Sequence, residues 1–164
     1  MVTVRKPSPG TIQLFLAKQA AASYAYPELG ATNTDAPVPG YDNDRSQVLL
    51  GSGPAVYDAA CLALRQWRMF PGGWAWIVPP AAPIQTGQTL AMVARTFGLH
   101  WANGCRIVYT LDGSGPERRY GFAPSSGKAT CCSWRRSFAQ RSLRRGEGAR
   151  GFQTRGAEIG RAHV

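Results

Sequence analysis

Few residues of this chain have the type and spacing that chemistry needs. His100 is the one histidine before residue 124. No Ser, Cys or acid stands at a catalytic spacing from it, so acid/base work would need a partner supplied by the fold. Gly51-Ser52-Gly53 precedes a helical pattern and could cradle a phosphate on a helix N-terminus. It lacks the Lys-Ser/Thr of a P-loop, and a strand-to-helix connector is the simpler reading. Asp42 and Asp44 are paired carboxylates, but Arg45 is beside them and no third partner follows, so they read as a solvated turn. Cys61 and Cys105 sit in apolar patterns and read as small buried side chains. The adjacent pair Cys131 and Cys132 suits neither a disulfide nor a zinc framework. Trp67, Trp74, Trp76 and Trp101 form an aromatic, apolar set: core by preference, or the wall of a ligand cavity.

The elements that must position these residues can be read from periodicity. Ser8-Pro9 opens a helix, with Ser8 as N-cap and Pro9 as first helical residue. Ile12, Phe15, Leu16 and Ala20 then follow helical spacing. Residues 27–44 are rich in turn residues and are expected to be a loop. Ser46–Leu50 reads as a short strand. Pro54 to about Met69 is the clearest helix, with Tyr57, Ala60, Cys61, Leu64 and Trp67 on one stripe, and Pro71-Gly72-Gly73 breaks it. Trp74–Val78, Thr89–Thr96 and Cys105–Leu111 read as strands. Asp112-Gly113-Ser114-Gly115 reads as a hairpin turn, and Arg119–Ala123 begins the returning strand.

The chain has 164 residues, room for one ordinary domain, and a net charge of +10. Such a charge suggests a nucleic-acid or anionic-membrane partner, but it is unevenly spread. Residues 124–164 carry nine Lys/Arg against two acids, while residues 1–123 carry ten against seven. No nucleic-acid partner is therefore expected from residues 1–123. From Pro124 arginine and serine dominate and apolar periodicity disappears. One permitted back-translation of the last seven residues, Glu158 to Val164, is GAG ATC GGA AGA GCA CAC GTC. That reads as the start of a DNA adapter ligated to sequencing libraries. The expectation is a low-complexity basic tail over 124–164 that is out of frame. No stretch approaches the roughly 18–20 apolar residues of a membrane span, and no secretory signal is read. An intracellular, cytoplasmic location is expected; oligomeric state is open.

Several segments together resemble one family. They are Pro7-Ser8-Pro9, Tyr26-Pro27-Glu28-Leu29-Gly30-Ala31-Thr32 and Tyr41-Asp42-Asn43-Asp44-Arg45. Further on come Leu50-Gly51-Ser52-Gly53, the helix end from Ala63 to Phe70, Cys105-Arg106-Ile107-Val108-Tyr109 and Arg119-Tyr120-Gly121-Phe122-Ala123. In content and order they resemble the uncharacterised bacterial and plant family called domain of unknown function 1990, over about residues 4–123. In that family the Gly-Phe-Ala strand is followed by a Gly-His segment and then Gly-Glu-Glu-x-Phe. Here the sequence departs, yet Lys128–Phe138 read in another frame permits Gly-His and Glu-Glu, which fits a frameshift near Pro124.

The resemblance implies an α+β fold: an antiparallel sheet with packed helices, helix-grip-like, its C-terminal part missing. It also implies that an intact member binds a small apolar or amphipathic ligand between sheet and helix. Trp67, Trp74, Trp76 and Tyr109 are the candidate pocket residues, and Arg106 or Arg119 would orient a polar end. No metal or cofactor is expected. An enzyme on the same fold, using His100 or Tyr109 as acid/base, is the alternative. A basic nucleic-acid-binding protein is the third reading, and it depends on the tail.

Overall fold

Ser8 caps the first helix as its type predicts. Its hydroxyl accepts from the Thr11 amide at 3.2 Å, Pro9 takes the first turn, and α1 runs Pro9–Ala21. The computed structural model of the chain describes residues 1–24, 27–33, 41–48, 50–70, 73–113, 119–126, 140–144 and 152–159. In α1 Ile12 is buried and Phe15 and Leu16 pack beside it, but Ala20 is exposed and Gln19 is buried in its place. The helix lies over a glycine of the sheet at that point, which selects a residue two turns after Ile12 whatever its polarity.

The second helix, α2 (Pro54–Arg65), buries Tyr57, Cys61 and Leu64, the stripe expected from spacing. It stops short of Met69. The Trp67 amide donates to Leu64 O at 3.0 Å and the Arg68 amide to Ala63 O at 2.9 Å. This is the paired-bond Schellman ending, in which a left-handed residue, usually glycine, satisfies the last carbonyls. Here that residue is Trp67, with φ 55°. Such a conformation costs a bulky residue about 1–3 kcal/mol. Burial of the indole offsets it: Trp67 Nε1 donates to Ala82 O at 2.8 Å, and the ring meets Phe122 edge-on at 5.1 Å.

Eight strands are present among the described residues: β1 (Val2–Thr3), β2 (Tyr41–Val48), β3 (Ala75–Val78), β4 (Thr89–Thr96), β5 (Leu99–Gly113), β6 (Arg119–Ser126), β7 (Gln140–Arg144) and β8 (Phe152–Ile159). They form one antiparallel sheet in the order β2-β8-β7-β6-β5-β4-β3, with β1 on β5. The molecule is therefore α+β, as expected.

Two sequence expectations are corrected. The loop over 27–44 ends early, because β2 begins at Tyr41 and pairs with β8; ladder pairing to a distant strand overrides the turn preference of Asp42-Asn43-Asp44. And β5 begins six residues before Cys105, since His100-Trp101-Ala102-Asn103-Gly104 pairs with β4 despite its mixed residue types. Pro124 lies inside β6, opposite Ile107. Leu49, Pro71, Gly72, Ser114, Gly115, Cys131, Cys132 and Gly160 to Val164, each part of an expected turn, strand or tail, lie outside the described residues.

The helices cover opposite faces. Under α2 lie Ala75, Ile77, Leu90, Met92, Ala94, Cys105, Ile107, Tyr120 and Phe122; under α1 lie Ala91, Val93 and Ala102. Burying a large apolar side chain contributes about 1.5–3 kcal/mol, so the α2 side supplies most of the apolar stabilisation. Strand β5 serves both halves of the sheet through a bulge. Its register against β6 shifts between Ile107 and Tyr109, leaving Val108 as the extra residue. Before the bulge the odd residues Cys105 and Ile107 face α2. After it the even residues do, opposite Tyr120 and Phe122, and Tyr109 is turned to the α1 side.

Candidate functional site

The α1 face carries the polar groups that the α2 face lacks. Gly104 sits in the interior of β5, where a glycine marks close approach of another segment. A Cβ there would overlap the Gln19 side chain, so the missing side chain is what lets the end of α1 settle on the sheet. Gln19 is 3% exposed, so its amide is enclosed between the helix end and the sheet.

Next along β5, Arg106 reaches the same helix end. Its Nη2 donates to Gln19 O at 2.9 Å, Ala20 O at 2.6 Å and Ala22 O at 3.0 Å. The guanidinium also stacks on Tyr24, 4.8 Å from the ring centroid. A cation there complements the negative end of the helix and adds donors for its last carbonyls, of which Gln19 O also accepts the Ala22 amide. Among the described residues all hydrogen bonds of Arg106 leave from Nη2, so Nε and Nη1 remain as donors. Gln19, Ala22, Tyr24, Thr89, Gly104, Cys105 and Arg106 line a shallow recess that opens to solvent.

The six residues expected to form a pocket do not meet in one place. Trp67 belongs to the α2 core, whereas Trp76 packs on the α1 side. Trp74 is 40% exposed and meets Phe70 edge-on at 6.4 Å. Tyr109 lies against the turn at Gly30. Arg119 starts β6 opposite Gly113 and is partly buried. Only Arg106 lines the recess, and its role there includes holding α1. Gln19, Tyr24, Thr89 and Gly104 were not marked by sequence spacing; the strand glycine was the one available signal.

His100 and Tyr109 lie on the same strand but about 30 Å apart at the usual strand rise, so they cannot share one acid/base site. The His100 ring meets Trp76 edge-on at 6.1 Å, and its enclosed Nδ1 has no hydrogen-bond partner among the described residues. Burial pushes the Cys105 thiol up to about 12, which keeps it protonated and unreactive. Arg65 extends over Tyr120, Nε to Oη 3.3 Å, and that hydrogen bond raises its pKa further. No cluster of metal-ligand types occurs among the described residues, and none of their helices is long and apolar enough to cross a membrane.

Comparison with known proteins places this sequence in a family. A UPF0548 protein of Dictyostelium discoideum is 26% identical over 136 residues, covering 77% of this chain and 63% of its own length. A UPF0548 protein of Deinococcus radiodurans is 29% identical over 136 residues, covering 74% of this chain and 65% of its own. The chain thus spans less than two thirds of the length of either relative. No solved structure matches it. The model of one family, described as "Domain of unknown function (DUF1990)", matches residues 25–126, most of the chain, and the protein belongs to that family.

Proposed function

We propose that this domain binds a small amphipathic molecule, held by its polar end at the Gln19–Arg106 recess. The observation that supports this is the convergence of a buried amide and a guanidinium over a glycine, between helix and sheet. A few convergent polar groups in an otherwise apolar setting are what fixes the orientation of a small ligand. The recess is shallow and open, its enclosed space of about 10 Å³ no larger than one water site. It would receive one polar atom of a carboxylate or amide headgroup, with the rest of the ligand lying along the sheet beside Tyr109 and the Gly30 turn. The helix-grip relation belongs to the same proposal: a sheet gripping a ligand against a helix.

Native mass spectrometry of the purified chain, followed by titration with medium-chain fatty acids and their amides, tests the reading. A retained amphipathic mass is expected, and Thr89→Leu, which fills the recess from β4, should weaken binding about tenfold. A wild-type chain that retains nothing and shows no saturable binding overturns it.

We also propose that the chain leaves the family's reading frame near Pro124, supported by the family match ending at residue 126. Transcript sequencing that returns an intact frame through Val164 overturns this.

A further inference from the structure

Thr96 and Leu99 are paired across the β4–β5 hairpin, so its loop is only Phe97 and Gly98. Their φ angles are 51° and 76°, the double left-handed form of a two-residue turn. Asn, Asp or Gly normally occupies the first position, because a side chain with a β-carbon is strained there. Here it holds a phenylalanine that is 98% exposed. Among the described residues nothing packs on that ring, which leaves it open to a partner outside the chain.

The surroundings of the tip say what that is. Strand β1 runs alongside β5, with Val2 opposite Trp101 and Thr3 opposite His100, which brings Val4 and Arg5 level with the turn. Val4 is 75% exposed. Trp74, 40% exposed, is fixed at the same end by the bond from the Arg95 amide to its carbonyl at 2.7 Å. Arg5, Lys6 and Arg95 are exposed around these side chains, with Lys6 5.5 Å from the Trp76 ring. No acid occurs in residues 1–27 or 59–111, which build this end; Asp112 stands at the far end of β5.

We infer that the β4–β5 hairpin end docks on an anionic lipid bilayer, with Phe97 and Val4 entering the interface. Trp74 would sit at headgroup level and Arg5, Lys6 and Arg95 against lipid phosphates. Aromatic and aliphatic tips ringed by cations, without carboxylates, match that surface in both polarity and charge. Exposed aromatic rings also stack on unpaired bases, but the aliphatic Val4 beside Phe97 favours lipid. The inference does not rest on the ligand recess.

Co-sedimentation of the full chain with phosphatidylserine/phosphatidylcholine vesicles tests it against Phe97→Asn. Asparagine is at home in this turn, so the variant keeps the fold, checked by its melting curve. Losing the ring should lower the partition coefficient about tenfold. Arg95→Glu should lower it further at low salt, and pure phosphatidylcholine vesicles should bind far less. Equal binding of wild type and Phe97→Asn would assign any adhesion to the arginines after residue 124 and overturn the inference. So would a loss of single-stranded oligonucleotide binding in Phe97→Asn with vesicle binding unchanged.

Discussion

Under α2 the sheet presents Leu90, Met92, Cys105, Ile107 and Phe122, whereas under α1 it presents Ala91, Val93, Ala102 and Gly104. Large side chains on one face fill the space beneath the helix and leave a dry core with interlocked aromatic rings. Small ones on the other bring the helix close but leave its end to be completed by Gln19 and Arg106. The contrast divides the work of the domain. One face supplies most of the apolar burial, and the other holds the buried polar contact on which the proposed binding rests.

Three measurements break or sharpen that contrast. Phe122→Ala removes a 2%-exposed ring from the α2 face and its edge contact with Trp67. It should cost about 3–5 kcal/mol in denaturant unfolding, and a loss under about 1 kcal/mol would mean that the α2 face is not the main core. Gly104→Ala should cost about 1–3 kcal/mol by displacing Gln19. Adding Gln19→Ala should recover part of it, and full additivity of the two changes would break the proposed contact.

The third concerns pH. Cys105 has its folded pKa raised from 9.0 to about 12, so the stability tied to its neutral thiol is present below pH 9 and is lost as pH rises toward 12. By pH 10 the advantage of wild type over Cys105→Ala should shrink by about 1 kcal/mol relative to pH 8. An unchanged difference would show that the α2 face admits water.

Sequence patterns made the α2 face far more legible than the α1 face. The α2 stripe and β4 follow from residue type and periodicity, and Ser8-Pro9 announces its helix through local capping. Gln19 is different: its burial depends on a glycine in a strand far along the chain, and no periodic pattern marks a polar residue for that. Arg106 was singled out for its charge, yet its partners are carbonyls more than eighty residues away in sequence. The start of β2 among turn residues was illegible for the same reason, since its partner β8 is distant. The Phe97-Gly98 turn left a signal in its glycine between two strand-like runs, though the neighbouring aromatic makes such a turn easy to pass over.

The bulge at Val108 has one more consequence. Strand β5 keeps time in twos, and the extra residue is an added half-beat that puts Thr110 rather than Tyr109 beside Phe122 on the α2 side. Deleting Val108 would leave a regular ladder in which Ile107 still opposes Pro124 and Tyr109 still opposes Ala123, so residues 109–113 would keep their sides. Drawing Val108 into the ladder opposite Ala123 would instead exchange them, sending Tyr109 toward α2. What is under constraint at this point is which residues pair rather than a residue type. Substitutions at Val108, and even its deletion, should be absorbed with little effect on the faces, while a shift that pairs Val108 with Ala123 would rewrite them.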